Sequence, residues 1–324
     1  MRVSGGIAAF TLARGPLAGT ASPPVSSPRM DLITLRQGEL GVILAPSIGG
    51  SIAGFWSDAR EAGLDLLRPT SADALSRGEP GALSSFPLVP WSNRIRAGRF
   101  TFGGRPVALT PNLRGHAIHG LGYRTSWTVT DRGPSEAVLE HRHAAGEWPW
   151  SYRATQRIIL TPAGLDVEMV VTNESQTTMP AGLGWHPYFP RTAATTLHAR
   201  VTGIWLTDAE ILPTICVAPP TDRDPRRGLA VDRVALDNVF VGWDQEAVIT
   251  WPERRARLRM TARGPLATLV VYTPPGEAFF CAEPVSHVTE AFNLAAAGHQ
   301  DTGMLSLAPG ESARAAMSLV PEVA

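Results

Sequence analysis

A histidine and a glutamate stand out for the chemistry they could share. His186 lies in the run Trp185-His186-Pro187-Tyr188-Phe189, where a proline stiffens the backbone beside it, and Glu283 lies far downstream in Cys281-Ala282-Glu283-Pro284. An imidazole held in place can give up a proton near neutral pH, and a carboxylate brought to it by the fold can take one. Such a pair supports acid–base chemistry with no cofactor. The ordinary readings are a histidine packed by Trp185 and Tyr188 and a glutamate in an ion pair. Period-two alternation sets Glu283 on the same side as Cys281, facing inward if the strand is half buried, and a buried carboxylate needs a partner or a purpose. His116 with His119, and His141 with His143, have spacings that could serve a metal, yet neither pair has an obvious third ligand. No metal and no cofactor are expected. Cys216 and Cys281 are the only cysteines, and neither has a second cysteine close enough in sequence for a metal or redox motif. Cys281 reads as a small buried residue on a strand.

The elements that must position this pair are strands and turns. In 324 residues the chain carries 31 Gly and 28 Pro, which suits many tight turns between short strands better than a few long helices. Phe100 and Phe102 lead into Gly103-Gly104, with Val107 and Leu109 beyond, which reads as a hairpin. Residues 154–160 and the alternating Leu165, Val167, Met169 and Val171 flank Pro162-Ala163-Gly164 as a second hairpin. Strands are expected over 248–260, 268–272 and 278–282, and a closing hairpin from Leu305–Leu307 through Pro309-Gly310-Glu311 to Ala313, Ala315, Met317 and Leu319. Short helices are expected at 71–75 and 289–294, and a charged surface loop at 219–227. Length alone allows one large β domain or two smaller ones. Regular strand spacing without a shift in composition points to one continuous all-β sandwich over residues 30–324. Residues 1–29 read as a flexible N-terminal extension, with a secretory signal as the alternative.

Charge narrows the partners. Lys and Arg number 29 and Asp and Glu number 29, so no electrostatic footprint for nucleic acid or an anionic membrane is visible. No run approaches the ~18 apolar residues of a bilayer-spanning helix. A soluble, cytoplasmic protein is expected, a monomer or homodimer, whose partner is small and roughly neutral. Asn173-Glu174-Ser175 fits a glycosylation acceptor, a pattern common by chance.

Several segments together resemble the aldose 1-epimerase (galactose mutarotase) family, in its bacterial epimerase-like branch. Phe86-Pro87-Leu88-Val89-Pro90-Trp91-Ser92-Asn93-Arg94-Ile95 is similar to the family's Asn-Arg-Ile signature, and His116-Ala117-Ile118-His119-Gly120 to its His-Gly element. Gly184–Phe189 resembles the catalytic-histidine segment, Leu236-Asp237-Asn238-Val239-Phe240 the aspartate element, and Glu283-Pro284 with Asn293 the catalytic-glutamate segment. The likeness runs over roughly residues 31–320 in matching order. One departure stands out: Leu121 follows Gly120 where many galactose mutarotases have a second glycine, so galactose specificity does not carry over.

The resemblance implies a galactose mutarotase-like β-supersandwich and an isomerase that interconverts the α and β anomers of a free monosaccharide. It implies His186 as the acid and Glu283 as the base, with Asn93, Arg94, His119 and Asp237 binding sugar hydroxyls. Arg94 and Asp237 suit directional hydrogen bonds, and His119 adds a second imidazole. Trp91, Trp148 and Trp185 are candidates to stack on a sugar face or to be core. A hexose-6-phosphate 1-epimerase is the alternative, for which Arg96, Arg99 and Arg124 are the available phosphate ligands. A non-catalytic sugar-binding sandwich is a third reading, disfavoured by the presence of both His186 and Glu283.

Overall fold

Two large antiparallel sheets face one another in a computed structural model that describes residues 31–61 and 63–323. The first is an 11-stranded sheet running Ile33–Gln37, Leu40–Ala45, Ser51–Ser57, Ser85–Leu88, Gly184–Pro190, Phe279–Val285, Thr268–Tyr272, Asp237–Val241, Gly203–Thr207 and Pro213–Val217, with Leu64–Asp65 paired to the third strand. The second is 9-stranded, in the order Thr128–Arg132, Glu136–His143, Tyr152–Leu160, Leu165–Asn173, Ser312–Val323, Ala256–Arg263, Glu246–Trp251, Thr196–Ala199 and Leu229–Ala230. The inner strands of the second sheet alternate, as in Leu165–Asn173 with every second residue buried, while the edge strand Thr128–Arg132 is exposed throughout. One face meets the core and the other meets water. The first sheet is covered on both faces at its centre, and Gly184–Pro190 is buried throughout. Polar side chains tie the sheets together inside the shared apolar core. Trp185 donates to the Gln156 side chain at 3.0 Å, Gln156 donates to the Gly50 carbonyl at 3.0 Å, and Trp251 donates to the Pro190 carbonyl at 2.8 Å. The expected all-β sandwich is the fold.

Several local expectations hold, and several need correction. Arg99–Phe102 pairs with Arg105–Ala108, and Tyr152–Leu160 with Leu165–Asn173, as the two hairpin patterns predict. The two short helices form at Ala72–Arg77, capped by the Ser71 side chain, and at Ala291–Ala296. The span 248–260 is two strands, because Pro252 opens a turn and Arg255 closes it at φ 44°. The C-terminal residues do not form a closing hairpin. Leu305–Leu307 pairs with Met179–Ala181, while Ser312–Val323 enters the second sheet between Leu165–Asn173 and Ala256–Arg263. Alternation around a Pro-Gly turn cannot distinguish a hairpin from two strands that turn away to distant partners. Residues 219–227 contain two short helical turns, Thr221–Arg223 and Pro225–Arg227, around a buried Asp224 that grips Arg226. Asn173 is fully buried and donates to the Thr177 and Leu307 carbonyls, so it holds a turn and presents no glycan acceptor. Among the described residues no helix is long and apolar enough to cross a membrane. The expected N-terminal extension lies outside the described residues.

Candidate active site

Strand register assembles the centre of the site. Phe86 pairs with His186. On the other side of the histidine strand, Gly184 opposite Val285 and Tyr188 opposite Cys281 set His186 across from Glu283. Cross-strand neighbours share a face, so three consecutive strands deliver Phe86, His186 and Glu283 in a row. Nε2 of His186 lies 3.3 Å from Oε1 of Glu283. The imidazole packs against two neighbouring rings, Phe86 at 4.7 Å and Tyr188 at 4.6 Å between centroids. The stack extends to Tyr123, 5.0 Å beyond Phe86, and to the Arg68 guanidinium, 3.7 Å from the Tyr188 centroid. Arg68 is fixed there by a 2.8 Å hydrogen bond to the Gly81 carbonyl. His186 therefore has little freedom to turn.

Asp237 opens a strand of the first sheet, opposite Tyr272, and the other polar groups come from connections outside the two sheets. Arg94–Ile95 and Ala117–Ile118 form a short ladder, and beyond it Asn93 and His119 clasp one another. The Asn93 N–H donates to His119 Nδ1 at 3.2 Å, and the His119 N–H donates to the Asn93 carbonyl at 3.1 Å. An Nδ1 that accepts leaves Nε2 to carry the proton in neutral His119. Asn93 Oδ1 also accepts from Arg94 Nη1 at 3.2 Å, and Arg94 Nη2 donates to Asp237 Oδ2 at 3.1 Å. Asn93 and His119 adopt φ of 55° and 66°, a region non-glycine residues avoid unless their surroundings impose it. One such constraint is His287, buried beneath the segment. Its Nε2 accepts from the Ser92 N–H at 3.0 Å and its Nδ1 donates to the Val288 carbonyl at 2.8 Å.

All six expected residues, Asn93, Arg94, His119, His186, Asp237 and Glu283, border one cavity of about 600 Å³, a size usual for small-molecule sites. Burial lowers the His186 imidazole to about 3, with the Arg68 charge adding to the effect. Burial raises the Glu283 carboxyl well above its ordinary value, reinforced by Asp237 and opposed by Arg94. Both shifts favour the uncharged forms, so the 3.3 Å contact brings a carboxyl and an imidazole within reach of a proton without holding them as an ion pair. His186 Nδ1 and Glu283 Oε2 are buried without a hydrogen-bond partner among the described residues. Two groups that each reach a different oxygen on one anomeric carbon would stand about 5–8 Å apart. His186 and Glu283 touch instead, because direct strand pairing brings the side chains together.

Other expectations changed with the structure. Trp91, Trp148 and Trp185 are core residues, each at most 2% exposed, and the cavity walls are Phe86, Tyr123, Tyr188 and Tyr272. Arg96, Arg99 and Arg124 do not border the cavity, and Arg96 faces Glu210 at 3.5 Å and Asp208 and Glu290 at 3.9 Å. Arg114, which no sequence signal singled out, does border it. His116 accepts from the Ala97 N–H, and His141 lies against Thr125 and Tyr152, so these histidines serve structural contacts. Among the described residues, the side chains with metal-ligand chemistry that gather are His186, Cys281 and Glu283, with ligand atoms within 4.8 Å of one another. Burial, reinforced by Glu283, pushes the Cys281 thiol well up, which keeps it protonated.

Comparison with known proteins places this geometry. Residues 31–320 match the model of the aldose 1-epimerase family. The uncharacterized protein YphB of Escherichia coli (strain K12) is 32% identical over 300 residues, covering 90% of this chain and 98% of that protein. A crystal structure of an Escherichia coli K12 protein, provisionally described as an aldose 1-epimerase, superposes with a TM-score of 0.82 at 31% identity over 90% of this chain and 99% of that one. A galactose mutarotase-like protein from Clostridium acetobutylicum has the same fold, with a TM-score of 0.80 at 20% identity over 90% of this chain and 95% of that one. With the family model matched across nearly all of the described residues and the same sandwich in its relatives, the chain belongs to the aldose 1-epimerase family.

Proposed function

We propose that this protein is an aldose 1-epimerase that interconverts the α and β anomers of a free aldose through His186 and Glu283. The supporting observation is a pair of proton-transfer groups in contact at 3.3 Å on the wall of a sugar-sized cavity, in surroundings that favour one proton between them. Ring opening needs a proton given to the ring oxygen and another taken from the anomeric hydroxyl. Glu283 as carboxylate takes the hydroxyl proton while His186 as imidazolium protonates the ring oxygen, and the bond from C1 to the ring oxygen breaks to leave an aldehyde. Rotation about C1–C2 and the reverse transfers close the ring on its other face. The pair then holds its original single proton. In the empty cavity that proton rests on Glu283, so it crosses to His186 before the ring opens, and ring opening returns the pair to its uncharged form. A bound hydroxyl also gives the orphaned Glu283 Oε2 or His186 Nδ1 a partner, removing a desolvation cost of about 1–3 kcal/mol.

Arg94 and Asp237, already paired, present their remaining donors and lone pairs to sugar hydroxyls, with Asn93 and His119 beside them. Anomer exchange measured by saturation-transfer NMR on a panel of aldoses tests the reading. Glu283→Gln and His186→Asn should each slow exchange by ~10²-fold or more while circular dichroism stays unchanged. Wild-type rates in both variants would refute the assignment.

A further inference from the structure

A second charged group borders the cavity apart from the proton-transfer pair. Arg114 sits at the tip of a two-residue hairpin in which Leu113 and His116 exchange backbone hydrogen bonds of 3.1 and 2.9 Å. Between them, Arg114 and Gly115 have φ of 46° and 82°. A hairpin turn with both central residues at positive φ favours Asn-Gly, and a long side chain there is strained by about 1 kcal/mol or more. Asn112 keeps the turn in place: its side chain accepts from the Ile118 N–H at 2.8 Å and donates to the Tyr123 hydroxyl at 2.9 Å. The arginine is thus held, against local preference, where it borders the cavity.

Its charge is the one left over. Arg94 is matched by Asp237 at 3.1 Å. Burial raises the Glu283 carboxyl well above its ordinary value, which favours its uncharged form, and its close contact is with His186, not Arg114. No described residue makes a hydrogen bond or ion pair with the Arg114 side chain. Its charge reaches Tyr272, whose phenol burial raises and Arg114 lowers, whereas the charges felt at Glu283 are Asp237 and Arg94, and at His186 Arg68. Glu277 also acts on Tyr272; it and Arg114 are both exposed, but only Arg114 borders the cavity.

We propose that Arg114 binds an anionic group of the substrate, and that the sugar this site takes is a hexuronate, an aldose with a carboxylate on C5 and a free anomeric hydroxyl. The proposal rests on the epimerase reading and narrows it. A lone guanidinium matches a carboxylate through two parallel N–H donors, whereas a phosphate ester usually draws two cations or a helix N-terminus. The other arginine bordering the cavity, Arg94, is already engaged with Asp237. Even overall charge is compatible with an anionic ligand, because what the ligand meets at this end of the cavity is one cation with no carboxylate paired to it.

The test compares kcat/KM for anomer exchange of glucose, glucuronate, galactose, galacturonate and glucose 6-phosphate. In the wild-type protein at least one uronate should exceed its parent hexose by about tenfold or more, the scale of a hydrogen bond to a charged group. Arg114→Gln should bring that ratio to near one, while Arg99→Gln, which removes an arginine outside the cavity, should leave it as it was. Taking the ratio within each variant cancels losses from misfolding. A wild-type ratio near one, an unchanged ratio in Arg114→Gln, or a preference for glucose 6-phosphate over both uronates would overturn the proposal and leave the epimerase reading intact. Exchange of none of these sugars above the spontaneous rate would instead overturn the epimerase reading, and this proposal with it.

Discussion

At the scale of single residues, the proton-transfer pair makes a specific claim about pH. A pair sharing one proton has both an acid and a base only between two limits, and it loses the base when a second proton binds and the acid when the last one leaves. Burial, with Arg68 behind Tyr188, moves the imidazole from 6.5 to about 3, and burial moves the Glu283 carboxyl upward from 4.5. The acid limb of kcat/KM should therefore fall well below pH 6, and the alkaline limb should lie above the ordinary carboxylate range. Arg68→Met removes a charge that opposes imidazolium and should move the acid limb upward. A profile recorded from pH 3 to 9 on both proteins decides this; an acid limb near 6.5 in the wild type would mean that His186 is not held neutral. That His186, Glu283, Asn93, Arg94, His119 and Asp237 belong around one cavity was legible because their neighbours in sequence carry the family likeness. Their contact was not, since it depends on which strands pair. Arg114 was hidden for a related reason: a positive φ at a turn leaves no mark on the residue that bears it.

Among the elements, the connections outside the sheets hold Asn93, Arg94 and His119, and their geometry depends on a few close approaches. Gly120 follows His119 at φ 74°, and a Cβ there would lie 2.1 Å from the Val89 carbonyl oxygen. Since that atom is backbone, it cannot move without shifting the segment that leads to Asn93 and Arg94. Gly120→Ala should cost ~2–3 kcal/mol and lower anomer exchange as well. At Gly103, φ 56°, nothing lies within 4 Å, so Gly103→Ala should cost only ~1 kcal/mol and spare activity. Denaturant titration of the two variants compares them directly. His287 beneath the same segment makes a second prediction, because burial lowers it from 6.5 to about 4. Its stabilisation is complete above 6.5 and is lost as pH falls toward 4, since the unfolded chain takes up the proton first. His287→Gln should therefore flatten the loss of stability between pH 6.5 and 4 by up to about 3 kcal/mol. The two early hairpins were legible from turn residues and alternation. The pairing of Leu305–Leu307 with Met179–Ala181 was not, because alternation identifies a strand without naming its neighbour.

For the whole molecule, composition sufficed for the class: glycine, proline and alternating apolar residues mean strands, and a chain this long can cover two large sheets. The order of strands within each sheet was beyond such reasoning, since it rests on contacts between residues far apart in the chain. Ser312–Val323 shows why this matters for stability. It lies between Leu165–Asn173 and Ala256–Arg263, with Met317 opposite Val167 on one side and Ala262 on the other. Met317 is 1% exposed and belongs to the apolar core that also contains Trp185 and Phe86, whose strands carry the proposed catalytic face. Truncating a buried methionine to alanine costs about 2–5 kcal/mol in lost transfer energy and cavity formation. If the two sheets unfold as one unit, Met317→Ala should lower the free energy of unfolding by that amount, and the denaturation midpoint with it, while leaving kcat unchanged below the transition, because nothing at the His186–Glu283 contact is touched. Loss of anomer-exchange activity and loss of β-sheet circular dichroism should then coincide along the denaturant axis in both proteins. A variant that loses activity at markedly lower denaturant than its β-sheet signal would mean that the cavity and the second sheet unfold separately, and that this core does not couple them.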